Sequence, residues 1–314
     1  MAALWTRQNP PTSPTFDFKM YRYTPSLASA ILCAVVFSIL ALVHLALYVR
    51  RRNRVVALVV IGALCETAGY TARIFSHFNN TAWGPYITQG VLTLVGPLWF
   101  AAGVYVVFGR VMVVAGVARA GVGKGGKSGG NDGKRRGVGC VGPRWCTRVF
   151  VGADVLTLGV QGLGSSIMGT MQLSLAIAGS KIVIAGLALQ VATFLVFLTA
   201  ALNFQRRMVR KQTSTITSAS TAEEERPVWL KTLYVLYGVS ALILLRCIFR
   251  LVEYSMGNAA YLMAREWTLY CFDALPMVAV LVILAVLRPE RWVAKVEAKD
   301  DGDSDGEMGV VEGK

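Results

Sequence analysis

Residues 25–54 read PSLASAILCAVVFSILALVHLALYVRRRNR, a run of 25 residues without Lys, Arg, Asp or Glu that leads into four arginines. As an α-helix, such a run is about 37 Å long, which exceeds the hydrocarbon core of a bilayer, about 30 Å. A helix satisfies its own backbone hydrogen bonds, as a segment surrounded by lipid must. The stretch therefore predicts a transmembrane helix, and its pattern recurs through the rest of the chain.

Long apolar runs follow one another along the chain, and short charged segments separate them. Seven are long enough to cross a bilayer: Pro25–Val49, Val55–Phe78, Ile87–Phe108, Val149–Leu175, Ile182–Phe204, Leu230–Val252 and Trp267–Leu287. Of the 314 residues, 54% are hydrophobic and only 16% are charged, which is too apolar for an ordinary soluble domain. The sequence therefore predicts an all-α, polytopic membrane protein with seven transmembrane helices.

The basic residues are unevenly distributed between the two sets of connecting segments. Of the 32 Lys and Arg residues, 24 fall on one side of the predicted helices, five on the other and three inside them. By the positive-inside rule the more basic side is cytoplasmic, which places the N-terminus outside and the C-terminus in the cytoplasm. Basic segments next to anionic lipid account for the net charge of +14, so we predict membrane lipids rather than nucleic acid as partners.

The chain is predicted to form one membrane domain with polar appendages. Residues 1–24 form an extracytoplasmic N-terminal tail, residues 25–287 the membrane domain, and residues 288–314 an acidic, disordered cytoplasmic tail. Within the membrane domain, residues 109–148 form a cytoplasmic loop rich in Gly, Lys and Arg, a composition that cannot bury a core. We expect the activity to reside in the helices and the protein to lie in the plasma membrane.

Two short motifs match known patterns without the surroundings that those patterns require. Gly121–Ser128 fits the phosphate-binding loop pattern, but further glycines follow instead of a helix, so we predict no nucleotide site and no cofactor. Asn79-Asn80-Thr81 is an N-glycosylation sequon, but its predicted outer loop is only eight residues long. Whether Asn79 is glycosylated stays open.

The most informative residues are ionisable side chains inside the helices, because each costs about 2.5–3.5 kcal/mol at a helix centre. Three helices repeat the spacing i, i+4, i+7, which places three polar side chains on one helical face. The sets are Glu66, Tyr70 and Arg73 in the second helix, Arg246, Arg250 and Glu253 in the sixth, and Glu266, Tyr270 and Asp273 in the seventh. The predicted topology places all three faces in the outer half of the membrane, where four carboxylates and three guanidiniums can meet in one layer.

Two interpretations of this layer remain open. In the first, the ion pairs only hold three helices together; in the second, they line a polar cavity, where ionisable residues within spans usually lie. Four carboxylates against three guanidiniums leave one negative charge, which requires a cation, a proton or water if the layer is buried. We expect Asp273→Asn to remove this surplus with little change in volume, and a long-chain amine to suit the site.

Further polar residues are predicted deeper in the bundle. Asp154 and Gln161 share a face of the fourth helix, and Gln190 lies in the middle of the fifth. Asp154 either faces the bundle or reaches the nearby cytoplasmic interface. No His, Cys or carboxylate group has metal-ligand spacing and no nucleophile lies beside a base, so we predict neither a metal site nor catalytic residues, and no enzyme.

Several of these residues belong to motifs that resemble a known family. In the second to fifth helices the motifs are Glu66-x-x-Gly69-Tyr70-x-x-Arg73, Gly96-Pro97 with Tyr105 and Arg110, Asp154 with Gln161-x-x-Gly164, and Gly179 with Gly186 and Gln190. In the last two they are Arg246-x-x-x-Arg250-x-x-Glu253-x-x-x-Gly257 and Glu266-x-x-x-Tyr270-x-x-Asp273-x-x-Pro276-Met277. Together they resemble the fungal lipid-translocating exporter family, seven-helix proteins linked to resistance to membrane-active toxicants and sphingoid bases. Ser165-Ser166, where the family tends to have glycine, and the long loop at 109–148 are departures that bear on the substrate.

The resemblance implies a membrane transporter or translocator of amphipathic lipids, sphingoid base-like or other membrane-active compounds, that contributes to lipid export or toxicant resistance. Without a nucleotide site, active transport would depend on a proton gradient, a partner or the lipid gradient. The alternative is a seven-helix receptor that binds an amphipathic ligand in the outer half of the bundle. Phe108-Gly109-Arg110 lacks the acidic residue before Arg that is typical of the large G-protein-coupled receptor class, which weakens this alternative.

Overall fold

The computed structural model describes residues 26–78, 83–122, 143–168, 173–216, 228–256 and 266–289, and these ranges are helical apart from short turns. Seven helices follow one another: α1 Leu27–Arg51, α2 Arg54–Phe78, α3 Trp83–Val122, α4 Pro143–Met168, α5 Leu173–Ile216, α6 Val228–Met256 and α7 Glu266–Leu287. Each contains a segment long and apolar enough to cross a membrane, which confirms the prediction of a seven-helix membrane protein. The predicted tails at 1–24 and from 290 onward, Asn79, and residues 123–142 of the predicted loop lie outside the described residues.

Two helices are much longer than the bilayer requires. With 40 and 44 residues, α3 and α5 are about 60 and 66 Å long, about twice the hydrocarbon thickness of a bilayer. Both helices are therefore long enough to extend beyond the hydrocarbon core. The segment 109–122, which we predicted as loop, continues α3.

The predicted boundary between the fourth and fifth helices is wrong. Helix α4 ends at Met168 and α5 begins at Leu173, so residues assigned to the end of the fourth run and to the following loop belong to α5. No charged residue lies between Asp154 and Lys181, and hydropathy therefore has no marker for the turn. Lys181 is exposed on α5, where a long side chain can extend its ammonium toward the membrane surface.

Arginines end two of the helices on the more basic side of the protein. Arg52 and Arg288, at the ends of α1 and α7, adopt positive φ angles of 48° and 43°, and Arg52 donates its backbone N–H to the Tyr48 carbonyl. Directly after Arg52, the Asn53 side chain accepts a hydrogen bond from the backbone N–H of Val55 at 3.1 Å, as an N-cap does. The α1–α2 turn is therefore compact, and it holds the two helices side by side.

Helix α3 is the centre of the bundle. Within the stretch of 18 residues that makes α3 apolar enough to cross a membrane, 67% of the residues are buried. The corresponding share is 22–28% in α1, α4 and α5. It packs against α2, α4 and α6, while α1 packs on α2 and α7, and α5 packs on α4 and α6. Large apolar side chains fill the core between these helices, among them Phe37, Phe100, Phe108, Phe197 and Met277. The outer faces carry exposed leucines and valines, as is typical of surfaces that contact lipid.

The orientation that the charge asymmetry predicts is open to a direct measurement. A tag fused to the C-terminus should be protected from added protease in intact cells and cleaved only after permeabilisation, since the positive-inside rule predicts that the basic side is cytoplasmic. A tag fused to the N-terminus is the matched control and should be cleaved in intact cells. Cleavage of the C-terminal tag from outside would contradict the predicted orientation.

Candidate functional site

The seven charged side chains predicted to form a layer lie in one half of the bundle, the half in which α2 and α6 end and α7 begins. We call them the ionic network: Glu66, Arg73, Arg246, Arg250, Glu253, Glu266 and Asp273. They form two neighbouring groups. The central cluster consists of Glu66, Arg246, Arg250, Glu253 and Asp273, and the second group is the ion pair between Arg73 and Glu266.

Asp273 has the most complete set of partners in the central cluster. Its Oδ1 accepts hydrogen bonds from Nε of Arg246 at 2.7 Å and from Nε of Arg250 at 2.9 Å, and its Oδ2 accepts one from Nη2 of Arg250 at 3.0 Å. The side chain is only 1% exposed. Both oxygens of this buried carboxylate are therefore paired with guanidinium groups, the strongest kind of hydrogen bond available to it.

The two glutamates of the cluster have fewer partners. Oε1 of Glu66 accepts a hydrogen bond from Nη1 of Arg246 at 2.9 Å, whereas its Oε2 makes none with any described residue although it is fully buried. Oε2 of Glu253 accepts one from Nη1 of Arg250 at 3.1 Å, and its side chain is 8% exposed. Glu66 is thus the carboxyl group that is both fully buried and least satisfied.

Helix α3 completes the cluster through its backbone and a small residue. The Thr93 carbonyl accepts a hydrogen bond from Nη2 of Arg246. In a regular helix this carbonyl would accept from the residue four positions later, but that residue is Pro97, which has no N–H. A Cβ atom on Gly96 would come within 2.6 Å of Oε1 of Glu66, so a larger residue at this position would force the Glu66 side chain to shift.

The Arg73–Glu266 pair connects three helices. Nη2 of Arg73 on α2 lies 2.8 Å from Oε1 of Glu266 on α7. The backbone N–H of Ser26, at the start of α1, donates to both oxygens of Glu266 at 2.9 Å, and the Tyr270 hydroxyl donates to Oε1 at 3.0 Å. The Tyr70 ring, which stacks on those of Phe37 and Tyr270, lies beside this pair. Glu266 therefore acts as a junction between the ends of α1, α2 and α7.

A wide turn in α7 carries Asp273. Residues Tyr270–Ala274 form a π-helical segment, in which the N–H of Leu275 bonds to the carbonyl of Tyr270, five residues earlier. Pro276 follows at once and lacks the N–H that a regular helix would use at that position. Such turns insert one extra residue into a helix and occur often at functional sites.

The deeper polar residues form a separate site between α3, α4 and α5. Asp154 is 2% exposed and accepts hydrogen bonds from the Tyr105 hydroxyl at 2.7 Å and from the Thr193 hydroxyl at 3.5 Å, so the alternative that it reaches the interface is wrong. Nε2 of Gln161 donates to Oε1 of Gln190 at 2.9 Å. The structure therefore places Asp154, Gln161 and Gln190 in one polar site, which is separate from the ionic network.

Sequence reasoning missed some residues that hold these sites. Ser26 and Thr93 contribute backbone atoms, which carry no side-chain signal in a sequence. The available signal for Thr93 was Pro97, because a proline inside a helix releases the carbonyl four residues before it. Nothing in the sequence distinguished Thr193 as a site residue, since threonines are common in the interior of transmembrane helices.

A groove between α2 and α3 opens toward the lipid. It has a volume of about 720 Å³, and its lining includes Leu64, Phe75 and Leu92 together with Thr67 and Thr71. The two threonine hydroxyls donate to backbone carbonyls of α2, at 2.9 and 2.8 Å, so the groove presents mainly hydrocarbon. Its volume is in the range of small-molecule sites, about 300–1,000 Å³, and its chemistry suits an alkyl chain.

The fold and the site define the protein as a polytopic helical membrane protein with a buried ionic network. Residues 59–122 and 136–296, more than half of the chain, match the family described as "RTA1 like protein", and the chain belongs to this RTA1-like family. The match covers the motifs from Glu66 to Met277 that indicated the resemblance, which confirms it.

Relatives of the chain are found in Saccharomyces cerevisiae. The chain is 29% identical to Protein RTA1 (87% of this chain, 85% of the relative) and 28% identical to Protoporphyrin uptake protein 1 (86% and 91%). It is 23% identical to Sphingoid long-chain base transporter RSB1, over 84% of this chain and 72% of the relative. No solved structure matches the chain. At the level of the family, these relatives support a role as a transporter.

Proposed function

We propose that this protein translocates amphipathic lipids that carry a cationic head group, with sphingoid bases as the representative substrate, across a fungal plasma membrane. The observation that carries the proposal is the central cluster, in which three buried carboxylates face two guanidiniums and leave one negative charge. An ammonium group would neutralise this charge. The relative named as a sphingoid long-chain base transporter supports the same class of substrate.

The lipid-facing groove provides an apolar surface for the alkyl chain of an amphipathic substrate. Thr93, whose backbone joins the central cluster, follows directly after Leu92, which lines the groove. Helices α2 and α3 thus contribute to the ionic network from one face and to the groove from another. An alkyl chain in the groove would remain in an apolar environment while the head group moves past the buried charges.

Protoporphyrin is a second candidate substrate, because the relative named Protoporphyrin uptake protein 1 is also similar to this chain. A porphyrin carries carboxylates, which would require cations to bind. Arg246 and Arg250 are already paired with carboxylates of the protein, and the cluster as a whole is negative when all its groups are ionised. The charge balance therefore favours a cationic amphipath over a dicarboxylate. We propose translocation without covalent chemistry as the mechanism, and we therefore also propose that the protein is not an enzyme.

The proposal predicts transport in a defined system. Purified protein in liposomes should accelerate the movement of a fluorescent sphingoid base between leaflets, measured by extraction of the outer leaflet with albumin. The matched control is the same lipid acylated on its nitrogen, which has no ammonium group and should not be accelerated. Equal acceleration of both lipids would contradict the proposed role of the charge. Binding of the base without movement would instead favour the receptor alternative.

A further inference from the structure

The ionic network has a charge imbalance that the hydrogen-bonding geometry assigns to one residue. Arg73 pairs with Glu266, whereas the central cluster holds three carboxyl groups and two guanidiniums. With every group ionised, the central cluster would carry a net charge of −1 within helices that cross hydrocarbon. An uncompensated charge in such surroundings is costly, so the cluster requires a neutral carboxyl group or an added cation.

The three carboxyl groups differ in how well the structure stabilises their ionised forms. Asp273 accepts three hydrogen bonds from Arg246 and Arg250 through both of its oxygens. Glu253 accepts one from Arg250 and keeps partial contact with the surface. Glu66 accepts one through Oε1, whereas its buried Oε2 accepts none from any described residue. The ionised form is therefore least stabilised at Glu66.

Close packing around Glu66 restricts what can neutralise it. A Cβ atom on Gly96 would lie 2.6 Å from Oε1 and 2.9 Å from the carboxyl carbon, so the α3 backbone lies directly against this group. A proton on Oε2 needs no additional space, and it leaves the hydrogen bond from Arg246 to Oε1 intact. From this geometry we infer that Glu66 is the proton-binding site of the ionic network and holds one proton on Oε2.

The surroundings of Glu66 determine how this proton responds to its environment. Helix α3 presents Gly96, which has no titratable group. The titratable groups near Glu66 on the other helices are Arg246 and Arg250 on α6, Asp273 on α7 and Cys33 on α1. Tyr70 and Cys65 are the neighbouring titratable groups on α2 itself. Loss of the proton would restore the charge of −1. If the ammonium of a sphingoid base then compensates this charge, the protein exchanges amine for proton, an extension that rests on the proposed function.

The protonation itself can be measured without any lipid substrate. Infrared spectra of purified protein in nanodiscs should contain the carbonyl band of a protonated carboxylic acid that shifts on exchange into D₂O. The difference between wild type and Glu66→Gln should show this band. Glu253→Gln and Glu266→Gln, which remove other carboxyl groups of the network, should retain it. The spectrum of Asp154→Asn shows whether Asp154, the buried carboxyl group of the site between α3, α4 and α5, contributes a band of its own.

Three results would overturn the inference: a band lost in Glu253→Gln, a band unchanged in Glu66→Gln, or no band in the wild type beyond that of Asp154. If Glu66→Gln does not fold, Glu66→Asp keeps the acid in a changed environment, and the band should move without disappearing. An unmoved band in that variant would count against Glu66. Because no amine is present, these results are independent of whether sphingoid bases are transported.

Discussion

Replacing Arg246 with methionine should lower the free energy of unfolding by about 3–5 kcal/mol, the cost of breaking a buried ion pair from one side. Arg246 is 2% exposed and donates to Asp273, Glu66 and the Thr93 carbonyl, so its loss removes one hydrogen-bond donor from an acceptor on each of three other helices. The measurement is the midpoint of thermal unfolding in detergent, followed by size-exclusion chromatography, together with the abundance of the protein in cells.

Two further variants make this prediction specific. Lys181→Met removes a cation from an exposed position on α5 and should leave the midpoint unchanged within error. Arg246→Met combined with Asp273→Asn should recover part of the lost stability, because one buried carboxylate is then no longer short of a guanidinium. An Arg246→Met protein as stable as the wild type would mean that the central cluster does not hold the helices together.

The second large effect is expected on transport. Glu66→Gln should slow the movement of the labelled sphingoid base in liposomes by about tenfold or more, since a charge-assisted contact of about 1.5–3 kcal/mol is lost. Glutamine has the same shape as a protonated glutamate and can still accept from Arg246, so the thermal midpoint should stay near that of the wild type. A cell assay should agree: protection against added sphingoid base should be lost at unchanged protein level.

From the sequence alone, Asp273→Asn was the substitution expected to remove the surplus charge, whereas the structure points to Glu66→Gln. Asp273 accepts hydrogen bonds from two arginines, so its neutralisation should lower stability and transport together and cannot separate the two. Lys181→Gln is the control for the transport assay and should transport at the wild-type rate. Wild-type transport by Glu66→Gln, at equal incorporation into liposomes, would remove Glu66 from the mechanism.

The number of helices and the faces on which the charges lie could be predicted from sequence, because each depends on local spacing. An apolar run must be helical to cross hydrocarbon, and the spacing i, i+4, i+7 keeps three side chains on one face. The same reasoning failed between α4 and α5, where the turn lies inside an apolar stretch without charged residues. The orientation of the termini stays a prediction, since it depends on which side of a membrane the basic connecting segments occupy.

Only the tertiary structure decided which charges pair and which carboxyl group is left unsatisfied. Pairing depends on the rotation and depth of each helix relative to the others, and side-chain spacing along one helix contains no information about either. Thus Asp273 and Glu66 both appeared as acids on a polar face, yet packing gives the first three donors and the second only one. In the same way, Pro97 was visible in the sequence, but the partner of the carbonyl that it releases lies on α6, more than 140 positions further along the chain.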